Sequence, residues 1–335
     1  MSIQRASYWG VDMKKILLID IDSHNFPNLS LMKLSAFLKQ NDSDIDFIKL
    51  TKADKTAILN GQPMWFDNEY DSIYGACVFT DNRNVAIKLH DMGVMIGGTG
   101  VSDIDDKNII KKLEPEIEHI YPDYKLYNNE FKNIAYGFLT RGCPRSCPFC
   151  IVSGKEGNKS IKVADLYEFY EDQSIIKLLD PNILACDEHI NLLEQLVDSK
   201  AWIDFTQGLD ARCTNLSNLK LIQQMKIKMI HFAWDNPRTE KMKDYLYFIR
   251  QNLNYRPEKM RVYVLTNYWS NFDDDLNRVY WLRDNGFEPY VMIYDKPNAP
   301  KNVKKLQRYV NCKYIFKSID RFEDYYSGNW KYKKE

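Results

Sequence analysis

The 335-residue chain has no apolar run near the ~20 residues that a membrane helix needs, and no secretory leader pattern opens it. A membrane role is therefore not expected. It also lacks an excess of either charge: Lys+Arg and Asp+Glu both total 46, for a formal net charge of +0. That argues against a strongly basic coat for nucleic acid, although a local basic groove can sit inside a neutral total. There is no internal repeat and no low-complexity tract. Evenly paired cysteines are missing too. The seven are Cys77, Cys143, Cys147, Cys150, Cys186, Cys213 and Cys312. Their number is odd and three of them crowd together, so the expectation is thiolates serving a metal in a reducing cytoplasm, not a disulfide framework. What is present is a 44% hydrophobic, 27% charged composition, enough for a folded core. The length suits one large domain or two ordinary ones.

Residues 1–13 are mixed in character and read as an N-terminal arm. From Lys14 onward, apolar strand-like runs alternate with helical spacing. Strands are expected at 15–21, 46–50, 72–79 and 94–96, with a helix over 27–39, giving a small Rossmann-like β/α unit over 14–101. Residues 102–132 are charged, carry Pro115 and Pro122, and read as a linker. A more regular rhythm follows, with strands expected at 135–140, 175–180, 202–206, 229–235, 261–268 and 289–295. Helical stretches such as 189–200 and 216–226 lie between them. Six strands alternating with helices predict an α/β fold, a partial (β/α)₆ barrel over 133–316. The lysine-rich end, 317–335, reads as a solvated tail.

The strongest motif is Arg141-Gly142-Cys143-Pro144-Arg145-Ser146-Cys147-Pro148-Phe149-Cys150. It follows the first expected barrel strand, at the mouth where barrel enzymes keep their active sites. The C-x₃-C-x₂-C spacing lets one short loop fold three thiolates around a single metal site. Four-iron clusters usually take four thiolates, so three ligands leave one iron open to substrate or cofactor. The alternative is structural zinc, which normally closes with a fourth Cys or His at paired spacing. The histidines (His24, His90, His119, His189 and His231) offer no such neighbour.

Cys143, Cys147 and Cys150, with Phe149 before the last of them, resemble the signature of the radical S-adenosylmethionine (SAM) superfamily. The likeness covers about residues 133–316 and agrees with the six strands. It implies a 4Fe-4S cluster held by the three cysteines, with SAM chelating the unique iron through its amino and carboxylate groups. It implies reductive cleavage of SAM to a 5′-deoxyadenosyl radical that takes hydrogen from a substrate. A reducing electron donor of flavodoxin or ferredoxin type, and a peptide, tRNA or small-molecule substrate, follow as expected partners. Polar residues at the expected strand ends become candidate SAM or substrate contacts: Asp180, Asn182, Arg212, Asp235 and Asn267. Taken singly, each Asp or Asn is equally a cap or turn former, and Arg212 equally an ion-pair partner. Members usually meet the SAM amino group with Gly-Gly-Glu after strand two. Leu179-Asp180-Pro181-Asn182 stands there instead, so Asp180 and Asn182 carry over only loosely.

The N-terminal unit resembles the cobalamin-binding domain of one branch of that superfamily, and the N-terminal domain of the tRNA methylthiotransferases. Asp22-Ser23-His24 begins the Asp-x-His-x-x-Gly pattern that brings histidine to cobalt, but the glycine is missing. Bound cobalamin is therefore not expected. The methylthiotransferase domain needs three further cluster cysteines, and only Cys77 is present. Gly97-Gly98-Thr99-Gly100 reads as a tight turn ahead of a phosphate or corrin cradle. The rival functions are cobalamin-dependent radical methylation and a non-catalytic, metal-stabilised module that binds nucleic acid through its aromatic side chains.

Overall fold

A computed structural model describes residues 13–62, 69–106, 109–239 and 241–327. The chain divides into two compact units, Met1–Lys132 and Asn133–Glu335.

The first unit is a four-stranded parallel sheet in the order β2-β1-β3-β4. Its elements are β1 (Lys15–Asp20), α1 (Leu29–Gln40), β2 (Asp44–Lys49), α2 (Lys52–Leu59), β3 (Ser72–Ala76), α3 (Arg83–Asp91), β4 (Met95–Gly97) and a short α4 (Pro115–Glu118). β1 is a continuous apolar run because it is central, with Leu17, Leu18 and Ile19 fully buried. Asn28 starts α1 by accepting the Leu31 amide, and Thr51 with Asp54 closes a capping box on α2. The expected linker is a correction. The Tyr127 hydroxyl donates to Asp20 at 2.7 Å and accepts the Asn28 amide, and the Asp123 amide donates to Met32. Its charged residues hid a buried face of Tyr124, Leu126, Tyr127 and Phe131, which belongs to the first unit.

The second unit carries six parallel strands in the order β12-β11-β10-β9-β8-β5. They are β5 (Ile134–Gly137), β8 (Ile175–Leu178), β9 (Trp202–Phe205), β10 (Lys226–Ala233), β11 (Met260–Thr266) and β12 (Glu288–Ile293). Each pairs with its predecessor, as in a partial (β/α)₆ barrel, and α6 (His189–Asp198), α7 (Leu216–Gln224), α8 (Met242–Asn252) and α9 (Phe272–Asp284) fill the crossovers. The expected strand 135–140 ends early, at Gly137. Beyond it the chain turns into a two-stranded antiparallel ribbon, β6 (Thr140–Arg141) with β7 (Ile161–Lys162), and α5 (Val152–Glu156) lies within the loop between them. The expected tail is also corrected. After α10 (Lys301–Asn311), helices α11 (Lys313–Ser318) and α12 (Phe322–Ser327) bring Ile319 and Phe322 into a core with Val279, Val291 and Tyr309. No helix among the described residues is long and apolar enough to cross a membrane.

Candidate functional site

Parallel strands put their C-terminal ends on one edge, and the cysteine loop leaves from that edge after β5. The β6–β7 ribbon ties its base. Glu156 adds a clamp, accepting from the Arg141 guanidinium at 3.0 Å and the Gly142 amide at 3.2 Å. Gly142 has φ +83°, and a Cβ there would lie 2.2 Å from the Lys159 carbonyl oxygen, so no larger residue fits the turn into Cys143. Beyond the cysteines, Lys159 is ion-paired with Asp187 and Lys162 with Asp165.

Asp180 lies just beyond β8, and its carboxylate is fully engaged. It accepts from the Leu139 amide, the Thr140 amide and the Thr140 hydroxyl at 2.5–3.1 Å. Burial pushes it up to about 6, against the pull of those donors. Asp180 is thus a brace that turns the chain out of β5 toward the cysteines. Asn182 is different. It is 2% exposed, its amide donates to Cys143 Sγ at 3.5 Å and to Asp210 at 3.3 Å, and it does not cap the following turn. Its buried Oδ1 has no hydrogen-bond partner among the described residues.

Asp210, after β9, receives both Arg145 from the cysteine loop and Arg212 from its own turn. Burial pushes its pKa up, but the two guanidiniums more than offset that and hold it below the usual carboxylate range. Arg212 is therefore first an ion-pair partner. Burial raises the pKa of both Asp235 and Cys147, and the Arg212 charge opposes that rise in each. Asp235, after β10, accepts no hydrogen bond at its carboxylate among the described residues, and burial raises it to about 6. Its position is fixed from behind. Buried Arg278 on α9 donates to the Trp234, Asp235 and Leu265 carbonyls and pairs with Asp275. Asn267, after β11, sits at φ +61° with its amide on the Tyr294 carbonyl at 2.9 Å. It acts as a turn former in the left-handed region that Asn tolerates.

Phe149 packs edge-on to Tyr268 and Trp269 at 5.5 and 5.4 Å, and Tyr268 meets Tyr294 at 4.6 Å. The cysteine loop thereby touches the ends of β8, β9 and β11 through Asn182, Asp210 and Tyr268. The thiols lie within electrostatic reach of one another. Burial raises Cys147, Asp235 raises it further, and Cys150 and Cys143 add to the rise. Among the described residues no three Cys, His, Asp or Glu side chains stand close enough together to hold a metal ion. The donor set nonetheless suits an iron–sulfur cluster: three thiols on one tethered loop, two guanidiniums alongside, and an orphaned buried acceptor on Asn182 beside Cys143. Arg145, Asp210, Tyr268 with Trp269, and Arg278 were missed as site residues. Arg145 lies between two of the cysteines, the one signal that pointed to it. Cys213 accepts a hydrogen bond from Arg145 at 3.3 Å, whereas Cys77 and Cys186 are buried.

In the first unit the strand ends are closed by protein. Asp22 accepts the Val78 and Phe79 amides, and His24 is exposed. A Cβ on Gly98 would lie 2.2 Å from the Cys77 carbonyl oxygen, and one on Gly100 2.8 Å from its sulfur. The glycine turn is packed against β3's extension and forms no open cradle.

No family model and no curated protein matches the sequence. Solved structures do. The radical S-adenosylmethionine methyltransferase TsrM from Kitasatospora setae, with tryptophan substrate and a SAM analog bound, superposes with a TM-score of 0.60 at 9% identity, over 84% of this chain and 72% of that one. The same enzyme with cobalamin and a [4Fe-4S] cluster bound gives 0.60 at 10% identity, over 84% and 75%. The chain shares the α/β fold of that enzyme. The match covers more of the chain than either unit alone, so it includes residues of both.

Proposed function

We propose that this chain is a radical SAM enzyme whose 4Fe-4S cluster is held by Cys143, Cys147 and Cys150. The observation that supports the reading is the convergence of the cysteine loop with the ends of β8, β9 and β11 at one edge of a six-stranded parallel sheet. When bound, the cluster and SAM supply reductive cleavage of the sulfonium and a 5′-deoxyadenosyl radical. The chain's own residues bind and orient. Asn182 Oδ1 is an acceptor suited to an ammonium, Asp235 a second acceptor on the same rim, and the Phe149–Tyr268–Trp269 group an apolar wall against water. A low-potential donor of flavodoxin or ferredoxin type is the partner this chemistry requires. Anaerobic reconstitution tests the reading: roughly four irons per chain are expected, with loss of iron and colour in Cys143→Ala, Cys147→Ala or Cys150→Ala but not in Cys312→Ala. Stoichiometric zinc without iron would overturn it.

A second reading, cobalamin-dependent radical methylation, is favoured by the likeness to TsrM, solved with cobalamin bound. Against it stand the engaged Asp22 and the filled glycine turn. Gel filtration after incubation with hydroxocobalamin separates the two. Loss of the pigment is expected, and retention of about one corrinoid per chain makes methylation the reaction.

A further inference from the structure

One face of the second unit's sheet carries charges that neither the cluster loop nor the rim uses. Alternation sends Ile176, Leu178, Ile203, Phe205, Val264 and Val291 to the buried face, where Val291 packs with α9 and α10. Lys177 and Asp204 point to the opposite face. They are register partners on β8 and β9, so their Cα atoms are about 4.8 Å apart. They do not pair with each other. Asp204 Oδ1 is buried without a hydrogen bond, and the carboxylate has no ion-pair partner among the described residues. The Lys177 ammonium lies 5.3 Å over the Tyr136 ring and has no hydrogen bond among those residues either.

Asp204 is half-buried, and leaving its buried Oδ1 without a donor costs on the order of 1–3 kcal/mol, a cost that a ligand's donor placed there would remove. The surroundings are planar and aromatic. His231 stacks on Tyr263 with ring centroids 5.0 Å apart and planes 7° from parallel. The His231 Nδ1 donates to the Phe205 carbonyl at 2.9 Å, and burial holds its pKa below the usual histidine range, so the ring is neutral beside Asp204. Asp204 lies one residue, roughly 3 Å, before the end of β9, under the rim that carries Asp210.

We propose that Asp204 and Lys177 together recognise the ammonium and carboxylate of a free α-amino acid, held against the His231–Tyr263 stack. Two unpaired opposite charges one strand apart match a zwitterion whose charged groups are separated by a single carbon. That this amino acid is the substrate of the radical chemistry rests on the proposed function above. Its recognition does not, and binding is measurable with or without iron.

The test is calorimetric titration of the full chain, cluster-reconstituted and iron-free, with each of the twenty proteinogenic amino acids. For the tightest binder, the decarboxylated amine is titrated as well. At least one amino acid is expected to bind. Asp204→Asn should weaken it tenfold or more, as should Lys177→Met, and the amine should bind alike to the parent and to Lys177→Met. Iron content should be unchanged in both variants, which separates lost recognition from lost fold. No binding by any of the twenty, or undiminished affinity in Asp204→Asn, overturns the proposal. SAM is titrated separately. A tenfold loss of SAM affinity in both variants, with no free amino acid binding, would make SAM's own methionine end the zwitterion and also overturn a separate substrate site. Failure of the parent to load iron would defeat the radical SAM reading alone.

Discussion

At the end of β1, Asp20 and Asp22 are saturated: Asp20 holds the Ser23 amide and the Tyr127 hydroxyl, and Asp22 holds two amides of β3's extension. At the end of β8, Asp180 is saturated in the same way, yet among the described residues Asn182 two residues on keeps a buried oxygen without a partner, and Asp235 a carboxylate without a donor. Both units are parallel sheets with polar residues at the same edge. The first uses those residues to close itself. The second closes only its back layer and leaves a front layer open. Polar residues at strand ends therefore do not mark a site; incomplete hydrogen bonding among them does.

The comparison can be broken most sharply at its closed positions. Asp180→Ala leaves three buried donors unmatched and should cost about 3–5 kcal/mol in denaturant unfolding, with loss of iron binding because the loop's exit from β5 loosens. Asp22→Ala should destabilise by a similar amount and leave iron content at the parent's level. Equal iron loss in both would erase the distinction between the units. Gly98→Ala meets the Cys77 carbonyl at φ +110° and should lower stability by about 2–3 kcal/mol; a neutral result would reopen the glycine turn as a cradle.

The open positions sharpen it. Burial raises the Asp204 pKa above its ordinary 3.8, so its contribution to stability is fully present below that value and is lost as pH rises through the raised one. Asp204→Asn, which does not titrate, should therefore be more stable than the parent by about 1–2 kcal/mol at pH 7.5, with the gain shrinking toward pH 4 in thermal unfolding. Asp235→Ala should weaken SAM binding about tenfold, or ~1.4 kcal/mol, with the cluster absorbance retained. Asn267→Gly should change SAM affinity less than twofold and stability by less than about 1 kcal/mol, since glycine suits φ +61° and only one hydrogen bond is lost.

The six strands were legible because each is an apolar run bounded by helical spacing, and the loop was legible because three cysteines share it. The alternation of Ile203, Asp204 and Phe205 was also visible, but no local rule states that Asp204 lacks a partner; that depends on what β8 and β10 bring beside it. Asp180 and Asn182 look interchangeable in sequence. They diverge because the first meets the Leu139–Thr140 amides and the second meets a thiol. The segment 102–132 misled for the opposite reason: its charges and prolines are local, while Tyr127's partner Asp20 is 107 residues away.

The strand order of the second unit also bears on how the chain reaches this shape. Every strand pairs with the one made just before it in the main sheet, so no pairing waits for a distant segment to return. β5 and β8 meet first, and the whole cysteine loop lies between them in the chain. Chains emerge from the ribosome at ~5–20 residues per second, so this corner can assemble seconds before β12 appears. Loading of the proposed cluster would then have an early window, on a nascent half-sheet with its mouth still unfinished, and pulse-labelled hydrogen exchange on refolding protein should find the Leu179 amide, bonded to Gly137, protected before the Tyr294 amide, bonded to Thr266.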